Sequence, residues 1–134
     1  MNMDAKEYLE QYNSLDRIAA RCLAEYKAES EAISNLLPYY KQYAKKIDAL
    51  TLYAQGLKVR SEEISSARDE VLSVINSIPG LEKDVLRSRY VDQMIWDDIA
   101  EKYCYSNRGI WYLHDRALKM LQEKLDEMEN TLQT

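Results

Sequence analysis

Six side chains near the start of one helical stretch carry the chemistry most open to a function. They are Asn107, Arg108, Trp111, Tyr112, Arg116 and Lys119. At about 3.6 residues per turn they share one face with Asp115, while Ile110, Leu113, Ala117, Leu118 and Leu121 fall on the opposite face. These residue types suit duplex DNA. A guanidinium such as Arg108 matches guanine O6 and N7, and a carboxamide such as Asn107 matches adenine N6 and N7. Trp111 and Tyr112 can meet thymine methyls or sugars, and Arg116 and Lys119 would sit nearer phosphates. Arg87 and Arg89, on the preceding segment, are further phosphate candidates. The alternative is the solvated face of an amphipathic helix. A Trp-Tyr pair where such a face usually carries Lys, Glu or Gln argues against it.

The elements that must position these residues read as a helix-turn-helix. Trp96–Tyr103 is a short first helix, Cys104-Tyr105-Ser106 a turn, and Asn107–Leu121 a second helix. Ala100 is the small residue at the crossing, and Ile110 plugs back against it. Ile99, Tyr103, Tyr105 and Leu113 supply the other apolar contacts. Ser106 is a good N-cap, because its hydroxyl accepts an otherwise orphaned backbone N–H. In the DNA-binding form of this layout the second helix enters the major groove. Gly109 lies inside that helix and costs it stability. It either permits a close approach to DNA or marks a degraded motif.

Upstream, residues 4–37 read as one long helix with Asp4 as N-cap. Tyr8, Tyr12, Leu15, Ala19, Cys22, Tyr26, Ile33 and Leu36 recur in steps of four and three, broken only at Glu29. Leu9, Ile18, Leu23 and Leu37 widen that stripe. Pro38 ends the helix or sits at the start of the next one. A second helix runs from Tyr39 to Ile78, with a seam of Ile47, Leu50, Ala54, Leu57, Ile64, Ala67, Val71, Val74 and Ile78 once Arg60 takes one core-register position. Gly56 weakens it by about 1 kcal/mol relative to alanine and is a candidate bend. Each helix is roughly 50–60 Å long, which predicts an antiparallel, coiled-coil-like hairpin. Wide seams and many tyrosines call for a further partner, most economically a second copy in a four-helix arrangement. Folding back onto the C-terminal helices is the monomeric alternative. Pro79-Gly80 is the clearest breaker pair. The expected fold is therefore all-α, with an oligomerising hairpin over 1–78 and a helix-turn-helix domain over 79–134. In that domain Leu81–Val91 is helical, with Leu81, Val85, Leu86 and Tyr90 inward. Asp92-Gln93-Met94 connects it onward. Leu125, Met128 and Leu132 keep the period beyond Leu121, but the acidic tail Glu123–Thr134 is expected to fray.

Composition agrees with an all-α chain and restricts its chemistry. Among 134 residues there are only 3 Gly and 2 Pro, and 11 Tyr but no Phe. The net charge is -5, so any contact with nucleic acid must come from a local patch. Residues 79–134 hold eight basic and eleven acidic side chains, a balance of −3. Cys22 and Cys104 are far apart without metal spacing, as expected of reduced cytosolic thiols. His114, the only histidine, reads as a helix-flank residue. Asp97-Asp98 reads as an acid pair favoured at a helix N-terminus. No Gly-rich phosphate loop, nucleophile–base spacing or metal cluster is present, so neither an enzyme nor a cofactor is expected. No apolar run spans a membrane, and the polar N-terminus is not a secretory signal, which predicts a cytoplasmic protein.

The stretch LEKDVLRSRYVDQMIWDDIAEKYCYSNRGIWYLHDRALKML resembles region four of the sigma-70 family. That region is the promoter-recognising helix-turn-helix of bacterial sigma factors. The shared pattern is Leu81, Val85, Leu86, Arg89 and Tyr90, then Trp96, Ile99 and Ala100. Tyr105, Ser106, Ile110, Leu113, Arg116, Ala117, Leu118 and Leu121 complete it. About a third of the chain is covered. Small phage and mobile-element proteins of the ArpU-like and RinA-like type carry such a domain behind long helices, and the whole chain is similar to these. The resemblance implies a DNA-binding regulator of phage or mobile-element transcription, with base contacts at Asn107, Arg108, Trp111 and Tyr112. The partners expected are double-stranded DNA, RNA polymerase and, from the wide seams, a second copy of the chain. It departs from the family in having Cys104 where the turn usually has glycine, Gly109 where a longer polar residue is usual, and a basic face reduced to Arg108, Arg116 and Lys119. A protein–protein adaptor built on the same scaffold, with Trp111 and Tyr112 docking polymerase or another regulator, is the alternative from a different class.

Overall fold

A computed structural model describes residues 3–133. Among these there are only helices and their connections. The order is α1 (Ala5–Leu36), a 3₁₀ turn (Leu37–Tyr39), α2 (Tyr40–Asn76), α3 (Leu81–Leu86), a π-helical turn (Arg87–Val91), α4 (Trp96–Tyr103) and α5 (Asn107–Gln133). No helix among the described residues is long and apolar enough to cross a membrane.

Helix α1 starts where expected. Asp4 Oδ1 accepts the backbone N–H of Glu7 at 2.8 Å, which satisfies one of the orphaned donors of the first turn. Pro38 sits in the 3₁₀ turn that separates the two long helices. Helix α2 is continuous through Gly56, and the bend expected there is absent. The distortion lies instead at Tyr43, whose φ of -119° and ψ of 24° are not helical. Gly56 has nothing within 4 Å of where a side chain would begin. Its small size therefore serves no close approach, and the helical ladder simply runs past it.

Contacts divide the chain into two compact units. One comprises Ser14–Arg68, the closed end of the hairpin. Its helices run antiparallel: Ser61 Oγ donates to the Ala19 carbonyl at 3.3 Å, and Arg68 pairs with Asp16 at 2.9 Å. Ala19, Cys22, Ile47, Ala54, Leu57 and Ser61 are buried between them. Much of this seam is small residues, so the helix axes can approach closely. The register position assigned to Arg60 belongs to Ser61, which is buried while Arg60 is exposed. A short hydroxyl fits the seam and finds a carbonyl partner, whereas a guanidinium would have to be desolvated.

The second unit comprises residues 1–13 and 69–134. The two units thus differ from the division at 78/79 expected from Pro79-Gly80. Leu9, Val71, Ile75 and Ile78 are each at most 2% exposed, which removes them from water with the C-terminal helices. The Ala5 N–H donates to Gln122 Oε1 at 2.8 Å and ties the start of α1 to α5. A cleft lined by Met3, Tyr8, Leu125, Met128 and Leu132 continues that seam. Accordingly the segment expected to fray is helical to Gln133. Its apolar period has a neighbour, and Gln122 also bonds Asp126 at 3.2 Å.

Candidate nucleic-acid interface

Helices α4 and α5 meet over a small apolar core of Val85, Ile99, Ala100, Ile110 and Leu113, flanked by Leu81, Met94, Trp96 and Tyr103. Ile110 is 0% exposed and Ala100 5%, as the spacing of a small residue and its plug requires. The turn between the helices follows from its hydrogen bonds. The Tyr105 N–H reaches the Ala100 carbonyl at 2.9 Å, and the Cys104 N–H reaches Glu101 at 3.2 Å. This is a Schellman closure, and it needs a left-handed residue at Cys104. Cys104 adopts φ 58° and ψ 39°, a conformation usually given to glycine. Ser106 then caps α5, its Oγ accepting the Gly109 N–H at 3.0 Å. Gly109 has its own local reason. A Cβ there would lie 3.1 Å from the Tyr105 ring and 3.3 Å from Ser106 Oγ. The glycine makes room for the turn itself.

Upstream, α3 passes into a π-helical turn. The Asp92 N–H bonds the Arg87 carbonyl, five residues back, at 2.9 Å, and Gln93 (φ 58°) ends the segment in the left-handed region. The wider turn buries both Ser88 and Tyr90. Ser88 Oγ lies 3.0 Å from the Tyr103 hydroxyl, linking this segment to α4.

All six candidate residues are exposed, together with Asp115, and lie on one side of α5. Their commitments differ. The Asn107 amide donates to Asp97 Oδ1 at 3.0 Å. Arg116 lies 3.8 Å from Glu82 and over the Tyr112 ring at 5.8 Å. Lys119 pairs with Asp115 at 3.2 Å. Arg108 has no such partner among the described residues. Of the two further phosphate candidates, Arg87 donates to Asn76 Oδ1 at 3.2 Å. Arg89 is half-buried, donates to the Met94 carbonyl at 3.0 Å and covers the Trp96 ring at 4.6 Å. Arg89 is thereby spent on the fold.

Trp111, 52% exposed, stacks on Trp96 with ring centroids 4.7 Å apart. His114 lies behind the pair, edge-on to Trp96 at 4.7 Å and to Trp111 at 5.6 Å. The histidine is not the helix-flank residue that its isolation in the sequence predicts. It is 5% exposed, and its Nε2 lies 2.8 Å from the Tyr90 hydroxyl. Burial, reinforced by the Lys6 and Arg89 cations and opposed by Asp115, lowers its pKa to about 4. Burial and the Glu10 carboxylate, opposed by Arg89, raise the Tyr90 phenol to about 12. Both are neutral near pH 7, and the pair acts as a core hydrogen bond. A signal for this was present: Ile110, His114, Ala117 and Leu121 are spaced by four, three and four, so the histidine occupies the inward stripe. Trp96 could not be placed against Trp111 in the same way, because the two lie on different helices.

Comparison of the chain with family models, curated proteins and solved structures finds no match.

Proposed function

We propose that the chain is a DNA-binding transcriptional regulator that reads duplex DNA through α4, the turn and the first turns of α5. The observation carrying this reading is the outer face of α5. There Arg108, with no partner among the described residues, stands beside Trp111 and Tyr112, while Trp96 braces Trp111 from below. Arg108 is the leading base reader, because its guanidinium is uncommitted and can meet guanine bidentately. Asn107 must first leave Asp97 to meet adenine. Arg116 and Lys119 exchange carboxylate partners for phosphates, which reduces the net gain from each contact. Asp97 and Asp98 oppose approach of the backbone, so affinity is modest and salt-sensitive. The likeness of the whole chain to ArpU-like and RinA-like proteins supports phage or mobile-element promoters as the target.

Two copies would present two such faces. Leu23, Leu52, Tyr53 and Val59 are exposed along the hairpin, and they support a homodimer. Selection from a library of labelled source-genome fragments at low salt tests the reading. Enrichment of a discrete site is expected, with Arg108→Ala weakening it by about 1–3 kcal/mol. No enrichment at low salt would refute it.

One observation favours a second reading. Asn107, Arg116 and Lys119 all have acidic partners, which leaves Trp111 and Tyr112 as much of the uncommitted surface. An adaptor would use that pair to dock RNA polymerase or another regulator. Recovery of polymerase on the immobilised protein after nuclease digestion, lost on Tyr112→Ala, would select this reading.

A further inference from the structure

The turn between α1 and α2 carries a patch that the α5 face does not account for. From residue 32 to residue 47 the chain holds Lys41, Lys45 and Lys46 and no acidic side chain, within a protein of net charge -5. Tyr39, Tyr40 and Tyr43 are interleaved with these lysines and are 60%, 47% and 37% exposed. Backbone geometry adds a third observation. The non-helical Tyr43 interrupts α2 here, and a shallow notch lined by residues 41–46 opens at the break. Apart from a 3.5 Å contact between the Tyr40 hydroxyl and Asp48, these rings and ammonium groups have no polar partner among the described residues.

We infer that this hairpin end is a binding surface for single-stranded nucleic acid, with the lysines on phosphates and the tyrosine rings stacked on bases. Charge selects a polyanion. The rings then discriminate among polyanions. A duplex hides the faces of its bases and offers the tyrosines only phosphate oxygens. An acidic peptide satisfies the lysines and leaves the rings without a stacking partner. A single strand offers both, and stacking on aromatic side chains tolerates any base sequence. An anionic membrane surface would also attract lysines, but the end of the hairpin presents hydroxylated rings and only Leu37 and Pro38 as exposed aliphatic side chains between the helices, which is little to insert. The inference stands apart from the reading of α5, since it uses none of the same residues.

Fluorescence anisotropy of a labelled oligothymidine, roughly twelve nucleotides long, against the full chain tests it. Three neutralised phosphates predict about a twentyfold loss of affinity between about 50 and about 200 mM salt. Tyr39→Ala and Tyr43→Ala should each weaken binding about fivefold or more. Lys41→Gln, Lys45→Gln and Lys46→Gln together should flatten the salt dependence, while Arg108→Ala should leave oligothymidine binding unchanged. All the substituted side chains are exposed. An abasic deoxyribose-phosphate strand titrated against the unaltered protein checks stacking without any variant, and it should bind several-fold more weakly. Absence of binding at low salt overturns the inference. So does equal affinity for the abasic strand, or loss of binding with Arg108→Ala. Binding confined to phosphatidylserine vesicles would assign the patch to a membrane, and a change in sedimentation on tyrosine substitution would assign it to a second copy. Either result overturns the inference. A failure here leaves the duplex-selection experiment unaffected, and the converse also holds.

Discussion

Acidification should destabilise the unit that carries α4 and α5, through His114. The imidazole is 5% exposed, bonded to the Tyr90 hydroxyl and enclosed by Trp96 and Trp111. Its pKa falls from 6.5 to about 4 on folding, because burial and the Lys6 and Arg89 cations disfavour the proton. As pH drops, the unfolded chain therefore takes up the proton before the folded one does. The stabilisation is present in full above the unfolded value and is lost as pH falls towards about 4. Linkage over that gap predicts a loss of at most about 2 kcal/mol between about pH 7 and about pH 5. Urea unfolding at a series of pH values, followed by far-UV circular dichroism, measures it. His114→Gln provides the reference, since the amide can still reach Tyr90 but does not titrate. Carboxylates titrating at the acid end are common to both proteins and cancel in the difference. Wild type should lose stability more steeply than the variant across this window. Parallel pH profiles would refute a buried neutral histidine and with it the packing beneath Trp111.

Three further substitutions report on local backbone. Cys104→Gly should stabilise the protein, because a left-handed conformation costs a side-chain-bearing residue about 1–2 kcal/mol and the freer unfolded glycine returns about half of that. Thermal unfolding should rise by about 2–4 °C, and Cys104→Ala, which keeps the Cβ, should not reproduce the rise. Gly56→Ala should add about 0.5–1 kcal/mol, since the helix is unbroken there and a methyl group meets nothing; a lower midpoint in urea would show that the site is not free. Ser106→Ala should cost about 1 kcal/mol by orphaning the Gly109 N–H. Amide exchange in the first turn of α5 should accelerate, and unchanged protection would argue against the cap.

Much of this architecture was legible in the residue order because a helix face is a local property. The stripe of Ile110, Leu113, Ala117 and Leu121, the caps at Asp4 and Ser106 and the turn at Cys104-Tyr105-Ser106 depend on neighbours within about four positions. The exposed side of α5 follows from the same period.

Other features depended on segments remote in sequence. His114 shares the inward stripe, but its neutral state comes from Tyr90, Trp96, Lys6 and Arg89, which no local period brings together. Arg89 has the charge of a phosphate contact, and its position over Trp96 removes it from that role. Gly109 reads as a defect until the Tyr105 ring is seen against it. The tail beyond Leu121 is helical because Gln122 meets the start of α1. Ser61 displaces Arg60 from the hairpin seam because the facing helix offers the Ala19 carbonyl and little room. Period and capping chemistry act over a few residues and are carried by the chain itself. Burial, proton affinity and the choice of partner for a charged group depend on dielectric and packing, which exist only once distant segments have met.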